Sequence, residues 1–173
     1  MEIPVLETER LILRGHLIAD FPAYAAMWAD PDVTRFIGGV PLAEEDAWGK
    51  FLRTFGQWDV MGFGFWSILE KQSGTRIGEV GFLEGRRDIV PSLKGVPECG
   101  WALVPAAHRK GYATEAVRAV LAWGDAHFGR VRMACIISPE NAPSLRVAEK
   151  TGFREALRTT YKNTPTVLMY RDP

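Results

Sequence analysis

Between Glu98 and Phe128 the chain sets a strand, a basic glycine loop and a long amphipathic helix end to end, and few folds accommodate that run. The strand pattern is Glu98-Cys99-Gly100-Trp101-Ala102-Leu103-Val104, ended by Pro105, which has no amide hydrogen to extend a ladder. The loop Ala106-Ala107-His108-Arg109-Lys110-Gly111 follows. A helix is expected from about Tyr112 to Phe128, because Ala113, Ala116, Val117, Val120, Leu121 and Gly124 recur on one face at helical spacing. A helix start presents unpaired N–H groups and partial positive charge, which suit a phosphate. Gly111 and small Ala113 allow close approach of a ligand or another backbone, and Arg109 and Lys110 add charge. A plain glycine turn before a helix has the same features. The run lacks the Gly-Lys-Ser/Thr of a nucleotide P-loop and the triple glycine of a dinucleotide fold.

The rest of the chain supplies a sheet and helices to cover it. Strands are expected at Arg10–Arg14, Gly64–Glu70, Arg76–Leu83, Val131–Ile137, Phe153–Thr160 and Thr166–Arg171. The second and third of these are joined at Ser73-Gly74 and the last two form a closing hairpin. Asp20 is placed to cap a helix running to about Ala29, and Asp30-Pro31-Asp32 stops it. A second helix is expected from Ala43 to Trp58, with Ala47, Trp48, Phe51, Leu52 and Phe55 at helical spacing. Asn141 caps a short helix to Lys150, with Gly152 at its left-handed end. Gly85–Pro97 reads as a long loop. The sum is an α+β fold: a mixed, mostly antiparallel central sheet of about seven strands flanked by helices. At 173 residues, with no repeat or linker, residues 1–173 form a single domain.

Charge and cysteine usage exclude several functions. The net charge is zero, but residues 1–93 carry 9 Lys and Arg against 14 Asp and Glu, and residues 94–173 carry 12 against 7. An acidic half and a basic half suit a cationic substrate beside a polyanionic cofactor, or are scatter without function. Nucleic-acid binding, which wants a basic total and a clustered stripe, is not expected. No apolar run approaches the roughly 18 residues that span a bilayer, and the acidic first residues have no secretory n-region, so no membrane association is expected and the location is expected to be cytoplasmic. Cys99 and Cys135 lack metal or disulfide spacing and read as two buried thiols. His16, His108 and His127 lie far apart without metal spacing, and no metal is expected.

Several spaced motifs resemble the GNAT acetyltransferases, and within them the ribosomal-protein N-terminal acetyltransferases of the RimJ/RimL type. They are Glu7-Thr8-Glu9-Arg10-Leu11-Ile12-Leu13-Arg14, Arg76-Ile77-Gly78-Glu79-Val80-Gly81-Phe82, Glu98-Cys99-Gly100-Trp101, Lys110-Gly111-Tyr112-Ala113-Thr114-Glu115-Ala116, and Asn141-Ala142-Pro143-Ser144 with Glu149-Lys150-Thr151-Gly152-Phe153. They stand in the family's order over nearly the whole chain. One departure is His108, where the superfamily's cofactor motif opens with Arg or Gln. The resemblance implies a sheet splayed after the fourth strand, with acetyl-coenzyme A as co-substrate in the gap. It implies that the backbone of Arg109, Lys110, Gly111, Tyr112, Ala113 and Thr114 holds the pyrophosphate. It further implies that Leu103 and Val104 pair with the pantetheine arm, that Asn141 contacts the pantetheine or the sulfur region, and that Ser144 lies near the sulfur. A homodimer is compatible with it.

Glu98 is the candidate general base. An alkyl amine with a pKa near ~10 must lose a proton before it attacks, and a carboxylate at a strand end suits that task. Glu98, Gly100 and Ala102 share one face, which sets small residues beside the acid. Glu79 and Glu84 on the neighbouring strand remain rivals, as does water. Ser144 is the candidate to protonate or hydrogen-bond the leaving thiolate. The aromatic, acidic N-terminal half would suit a cationic amine. The expected activity is N-acetylation of a protein N-terminus or a small amine. A silent coenzyme A-binding sensor or scaffold, or transfer of another acyl group such as succinyl, are the alternatives.

Overall fold

The structure, a computed structural model, describes residues 2–173. Eight strands form one sheet in the order β1-β2-β3-β4-β5-β6-β8-β7. They are β1 (Leu6–Glu7), β2 (Leu11–Arg14), β3 (Phe65–Glu70), β4 (Arg76–Leu83), β5 (Glu98–Leu103), β6 (Met133–Ile137), β7 (Arg154–Tyr161) and β8 (Thr164–Arg171). Seven were expected. The eighth, β1, is two residues long and folds back on β2, with Leu6 opposite Leu13. Every pairing is antiparallel except β5 with β6.

The two faces of the sheet carry different layers. On one face, α4 (Tyr112–Phe128) and α5 (Ala142–Lys150) close the main core. The α4 residues Ala116, Val117, Val120 and Leu121 meet Val80, Phe82, Cys99, Met133 and Cys135 there. This is the apolar stripe expected from spacing. Both cysteines are buried free thiols, and burial pushes their pKa values up. On the opposite face, here called the front, α1 (Phe21–Trp28), α2 (Pro31–Thr34) and α3 (Glu44–Met61) pack Tyr24, Met27, Trp28, Val33 and Phe51 over Ala102. The 84–97 loop covers the front of β6, β8 and β7 with Ile89 and Leu93. No helix among the described residues is long and apolar enough to cross a membrane.

Three local expectations are corrected. Asp20 does not cap α1. Its carboxylate instead takes both Arg14 guanidinium nitrogens, at 2.7 and 2.8 Å, and the Leu17 amide at 2.8 Å, since an ionised partner outcompetes a helix amide. Asp30-Pro31-Asp32 does not only stop a helix. Asp30 caps the Asp32 amide at 2.8 Å and starts α2, with Pro31 at its first position. Finally, α3 runs one turn past Trp58, to Met61, before Gly62 ends it in the left-handed conformation.

Gly124 lets α4 sit close to the sheet: a Cβ there would lie 2.7 Å from the Phe82 ring and 3.0 Å from Met133 Cε. Gly124→Val is expected to lower stability by ~1–3 kcal/mol through overpacking, read as a lower urea midpoint. An unchanged midpoint would mean that α4 does not rest on Phe82 as described.

Candidate active site

The candidate site begins where strand pairing fails. β5 and β6 are parallel neighbours but pair only at Glu98 and Ala134, with a second hydrogen bond from the Ala134 amide to Pro97. Beyond that point the strands part, and the edge of β5 from Gly100 to Leu103 faces a slot. Antiparallel strands alternate bonded and non-bonded pairs. The Val104 amide bonds Ile77 O at 2.9 Å, so the amides of Ala102 and Gly100 also turn toward β4, while Leu103 and Trp101 turn theirs toward the slot and the Cys99 amide, on the same side, completes the bridge to Ala134.

That alternation divides the two residues expected to pair with the pantetheine arm. The Val104 amide is occupied by Ile77, and its carbonyl accepts from the Ala107 amide at 2.9 Å. The Leu103 carbonyl accepts from His108 Nε2 at 2.8 Å. A carbonyl only accepts, so His108 carries its proton on Nε2. Of the two residues, Leu103 alone keeps its amide directed at the slot. His108, the departure from the family motif, holds the end of β5 to the loop that follows.

The loop is shaped for an anion. Arg109 has φ +61° and Gly111 φ +80°, and a left-handed residue within a turn gathers neighbouring amides into a concave anion site. Arg109 has a Cβ and is unusual there. No side chain caps the N-terminus of α4, so the amides of Tyr112, Ala113 and Thr114 keep the free donors of a first turn. The loop is held by residues that sequence reasoning did not single out. Arg10 Nη1 donates to Lys110 O at 2.9 Å, Arg10 Nε donates to Glu115 at 2.7 Å, and the guanidinium lies 4.4 Å from the Tyr112 ring centre. Thr8 and the Arg10 amide also donate to Glu115, at 2.6 and 2.9 Å, and the Tyr112 hydroxyl donates to Glu70. Thr8 and Arg10 lie in a quoted motif, but nothing in their spacing points to a helix a hundred residues later.

The far wall of the slot is β6 and the start of α5. Asn141 Oδ1 accepts from the Ser144 amide at 3.2 Å, the expected cap. It sets half-buried Ser144 in the first turn of α5, just beyond the end of β6.

The candidate bases part company. Glu98 is 4% exposed, with both oxygens held by Arg87 Nε and Nη2 at 2.6 and 2.7 Å. It sits at the closed end of the slot, five residues or roughly 17 Å along β5 from Leu103. The room expected beside Gly100 is filled by the Phe65 ring, 3.1 Å from where a Cβ would be. Glu84 lies past the end of β4, 3.8 Å from Arg86. Glu79 is opposite Ala102, the neighbour of Leu103. The registers continue to Ser67 and Arg14, so Arg14, Ser67, Glu79 and Ala102 form one row across the front face.

Glu79 is 3% exposed, and its burial raises its pKa, opposed by Lys50 and Arg76. A displaced carboxyl pKa inside a cleft wall is a feature of acid–base sites. His16 Nε2 lies 3.6 Å from Glu79. This is not an ion pair, because burial, with Arg76 beside it, pushes the imidazole pKa down to about 3 and leaves it neutral. Both His16 nitrogens, Tyr24 OH, Trp28 Nε1, Ser67 Oγ, Arg76 Nε and Nη2, and Glu79 Oε2 are buried without a hydrogen-bond partner among the described residues. So many orphaned polar atoms in one place are unusual in a folded protein.

Residues 10–154 match the family described as "Acetyltransferase (GNAT) domain". An uncharacterized N-acetyltransferase named p20, from Bacillus licheniformis, is 27% identical over 91% of this chain and 86% of its own. The structure of a putative GNAT-family acetyltransferase from Bordetella pertussis superposes with a TM-score of 0.86 at 36% identity, over 97% of this chain and 99% of that one. The aminoglycoside acetyltransferase AAC(6′)-Ib, solved in complex with coenzyme A, shares the fold with a TM-score of 0.77 at 18% identity, over 94% of each chain.

A neutral buried His16 couples stability to pH. Unfolded, the imidazole takes up a proton as pH falls through about 6.5, whereas folded it stays neutral to about 3. Its contribution is therefore intact above pH 6.5 and lost as pH falls below it, by ~2 kcal/mol between pH 7 and pH 5. The raised Glu79 acts with the opposite sign, so the readout is a difference. Across that interval the wild type should lose ~2 kcal/mol more than His16→Gln in urea titrations. Parallel losses would mean that His16 is not held neutral.

Proposed function

The chain belongs to the GNAT acetyltransferase family, and on that premise we propose that it transfers an acetyl group from acetyl-coenzyme A to a primary amine by direct attack, with Glu79 as the base. The observation that carries this reading is the register of Glu79 beside Ala102, next to the one amide at the end of β5 that faces the slot.

The donor set fits coenzyme A. The uncapped amides of Arg109 through Thr114 suit its diphosphate, the more so beside the positive end of α4. The Leu103 amide suits the pantetheine arm, as an added strand would, or the carbonyl oxygen on which charge develops. When bound, the co-substrate supplies the acetyl group as a thioester. Glu79 takes the proton from the amine nitrogen as the C–N bond forms. Ser144 hydrogen-bonds the sulfur as the C–S bond breaks, and the thiolate leaves with a proton from solvent. Asn141 holds Ser144 in place from the helix cap. Glu98 is withdrawn as base, because its paired oxygens and its place at the closed end of the slot suit an anchor for Arg87.

The ribosomal-protein branch suggested by the motifs would take a peptide α-amine. The burial of Glu79 and Arg76 under α1–α3 favours a small amine instead, since a small molecule can be enclosed among them and a polypeptide cannot.

Glu79→Gln should lower kcat by ~10²–10⁴ in a thiol-release assay with the coenzyme A Kd unchanged by calorimetry, whereas Glu98→Gln should lower the urea midpoint and leave kcat nearly intact. Full turnover by Glu79→Gln would remove the assignment. Gly111→Val should abolish coenzyme A binding, because valine is excluded from φ +80°; circular dichroism would check that the variant folds. Ser144→Ala should reduce kcat more than cofactor affinity, and an equal loss of both would leave Ser144 a binding role only.

A further inference from the structure

Arg76 is the least explained residue of the protein. It opens β4 and is 8% exposed. Its nearest neighbours are soft: Nη1 is 3.9 Å from Met27 Sδ, and the guanidinium carbon is 5.2 Å from the centre of the Tyr24 ring. Nε and Nη2 have no partner among the described residues. Those two nitrogens form the edge of guanidinium that receives a carboxylate side-on, through two parallel hydrogen bonds. Burial lowers the pKa of Arg76 while Glu79 and Asp20 raise it, so the side chain lies within electrostatic reach of both acids. Neither pairs with it. Asp20 is taken up by Arg14 and the Leu17 amide, and Glu79 Oε2 is itself unpartnered.

A buried guanidinium and a buried carboxyl therefore face the same interior without meeting. Unpaired buried charge is costly, and its persistence calls for a partner. The charges around these two groups narrow the partner's chemistry. Arg14, Arg76 and Lys50, the last 4.3 Å over the Trp28 ring, stand against Asp20 and Glu79. The acids that make the N-terminal half negative include Glu44, Glu45 and Asp46, which are exposed in the first turn of α3 and outside this space. The acidity that suggested a cationic amine is on the surface, and the interior has a cation to spare. A polyamine or an aminoglycoside would bring further positive charge to Arg76. An amine that also carries a carboxylate would answer both orphans at once.

We propose that the acceptor is a small amino-carboxylate, an amino acid or a close analogue, whose carboxylate is bound by the Nε–Nη2 edge of Arg76 while its amine faces Glu79. Ser67, Tyr24, Trp28 and His16 bring further buried hydrogen-bonding atoms without a partner to the same face, and the row through Glu79 to Ala102 leads to the slot beside Leu103. This inference rests on the acetyltransferase reading and specifies its acceptor.

The test is a thiol-release assay with acetyl-CoA against the twenty L-amino acids and β-alanine, their carboxamides, spermidine and an aminoglycoside. At least one amino acid should be turned over, with kcat/KM at least ~100-fold above that of its own carboxamide, because a site built to bind a charged group rejects the analogue that lacks it. Arg76→Gln should raise KM for that amino acid at least ~10-fold while the coenzyme A Kd stays at the wild-type value. Should that variant not fold, calorimetry on the wild type with coenzyme A present should show binding of the amino acid and none of the carboxamide. Preferred turnover of spermidine, the aminoglycoside or the carboxamides overturns the inference and leaves the acetyltransferase reading standing. An unchanged KM in Arg76→Gln also overturns it, and the orphaned atoms then hold structural water only. Binding of coenzyme A with no turnover of any amine defeats both readings.

Discussion

The arrangement depends on an incomplete pairing. β5 and β6 meet at Glu98 and Ala134 and then part. Had the ladder continued, the slot-facing amides of Trp101 and Leu103 would have been consumed by backbone carbonyls. Because it stops, one strand edge inside the protein stays free to bond an extended ligand, without the aggregation hazard of an outer edge. What closes the lower end is side-chain chemistry: Glu98 and Arg87 join the strand to the 84–97 loop that covers the front of β6. The reading proposed for Glu98 is accordingly that of a fastener of the slot.

The second constraint is the support of the turn into α4. A non-glycine residue at positive φ is strained, and such strain persists only where surroundings over-determine it. Here they do. Arg10 holds the Lys110 carbonyl and Glu115 together, Tyr112 is stacked and hydrogen-bonded, and His108 ties the loop back to Leu103. The short β1–β2 turn, which supplies Thr8 and Arg10, thereby supports the loop at which the diphosphate is proposed to bind. The same geometry leaves the first-turn amides of α4 uncapped.

The front face shows how charged groups are kept under three helices. Arg14 and Asp20 satisfy one another, with the Leu17 amide completing the carboxylate. His16 gives up its charge. Arg76 and Glu79 do neither, and it is at these unanswered groups that the acceptor is proposed to bind. The low dielectric that makes their isolation costly also makes any complementary ligand bind strongly there.

Much of the fold was legible along the chain, because its determinants are local. Period-two and helical spacing located the strands and helices within a few residues, Asn141 revealed its capping role, and the run from Glu98 to Phe128 marked the loop at which a phosphate is proposed to bind. Glu79 stood among the rivals for the base, but spacing ranked Glu98 first, since both are carboxylates on exposed-looking strand positions. The proposal of Glu79 rests on facts no window of sequence contains: Arg87 crossing to Glu98, the register of Glu79 with Ala102, and the alternation that occupies Val104 and frees Leu103. Asp20 was misread for the same reason, as a helix cap is a local partner and Arg14 arrives from another strand. The amino-acid sequence determined which segments become strands and helices and where a phosphate would be welcome, through interactions between residues a few positions apart. Only the tertiary structure decided which polar groups find partners and which are left without, because pairing across strands and layers joins residues whose separation along the chain carries no information about their distance in space.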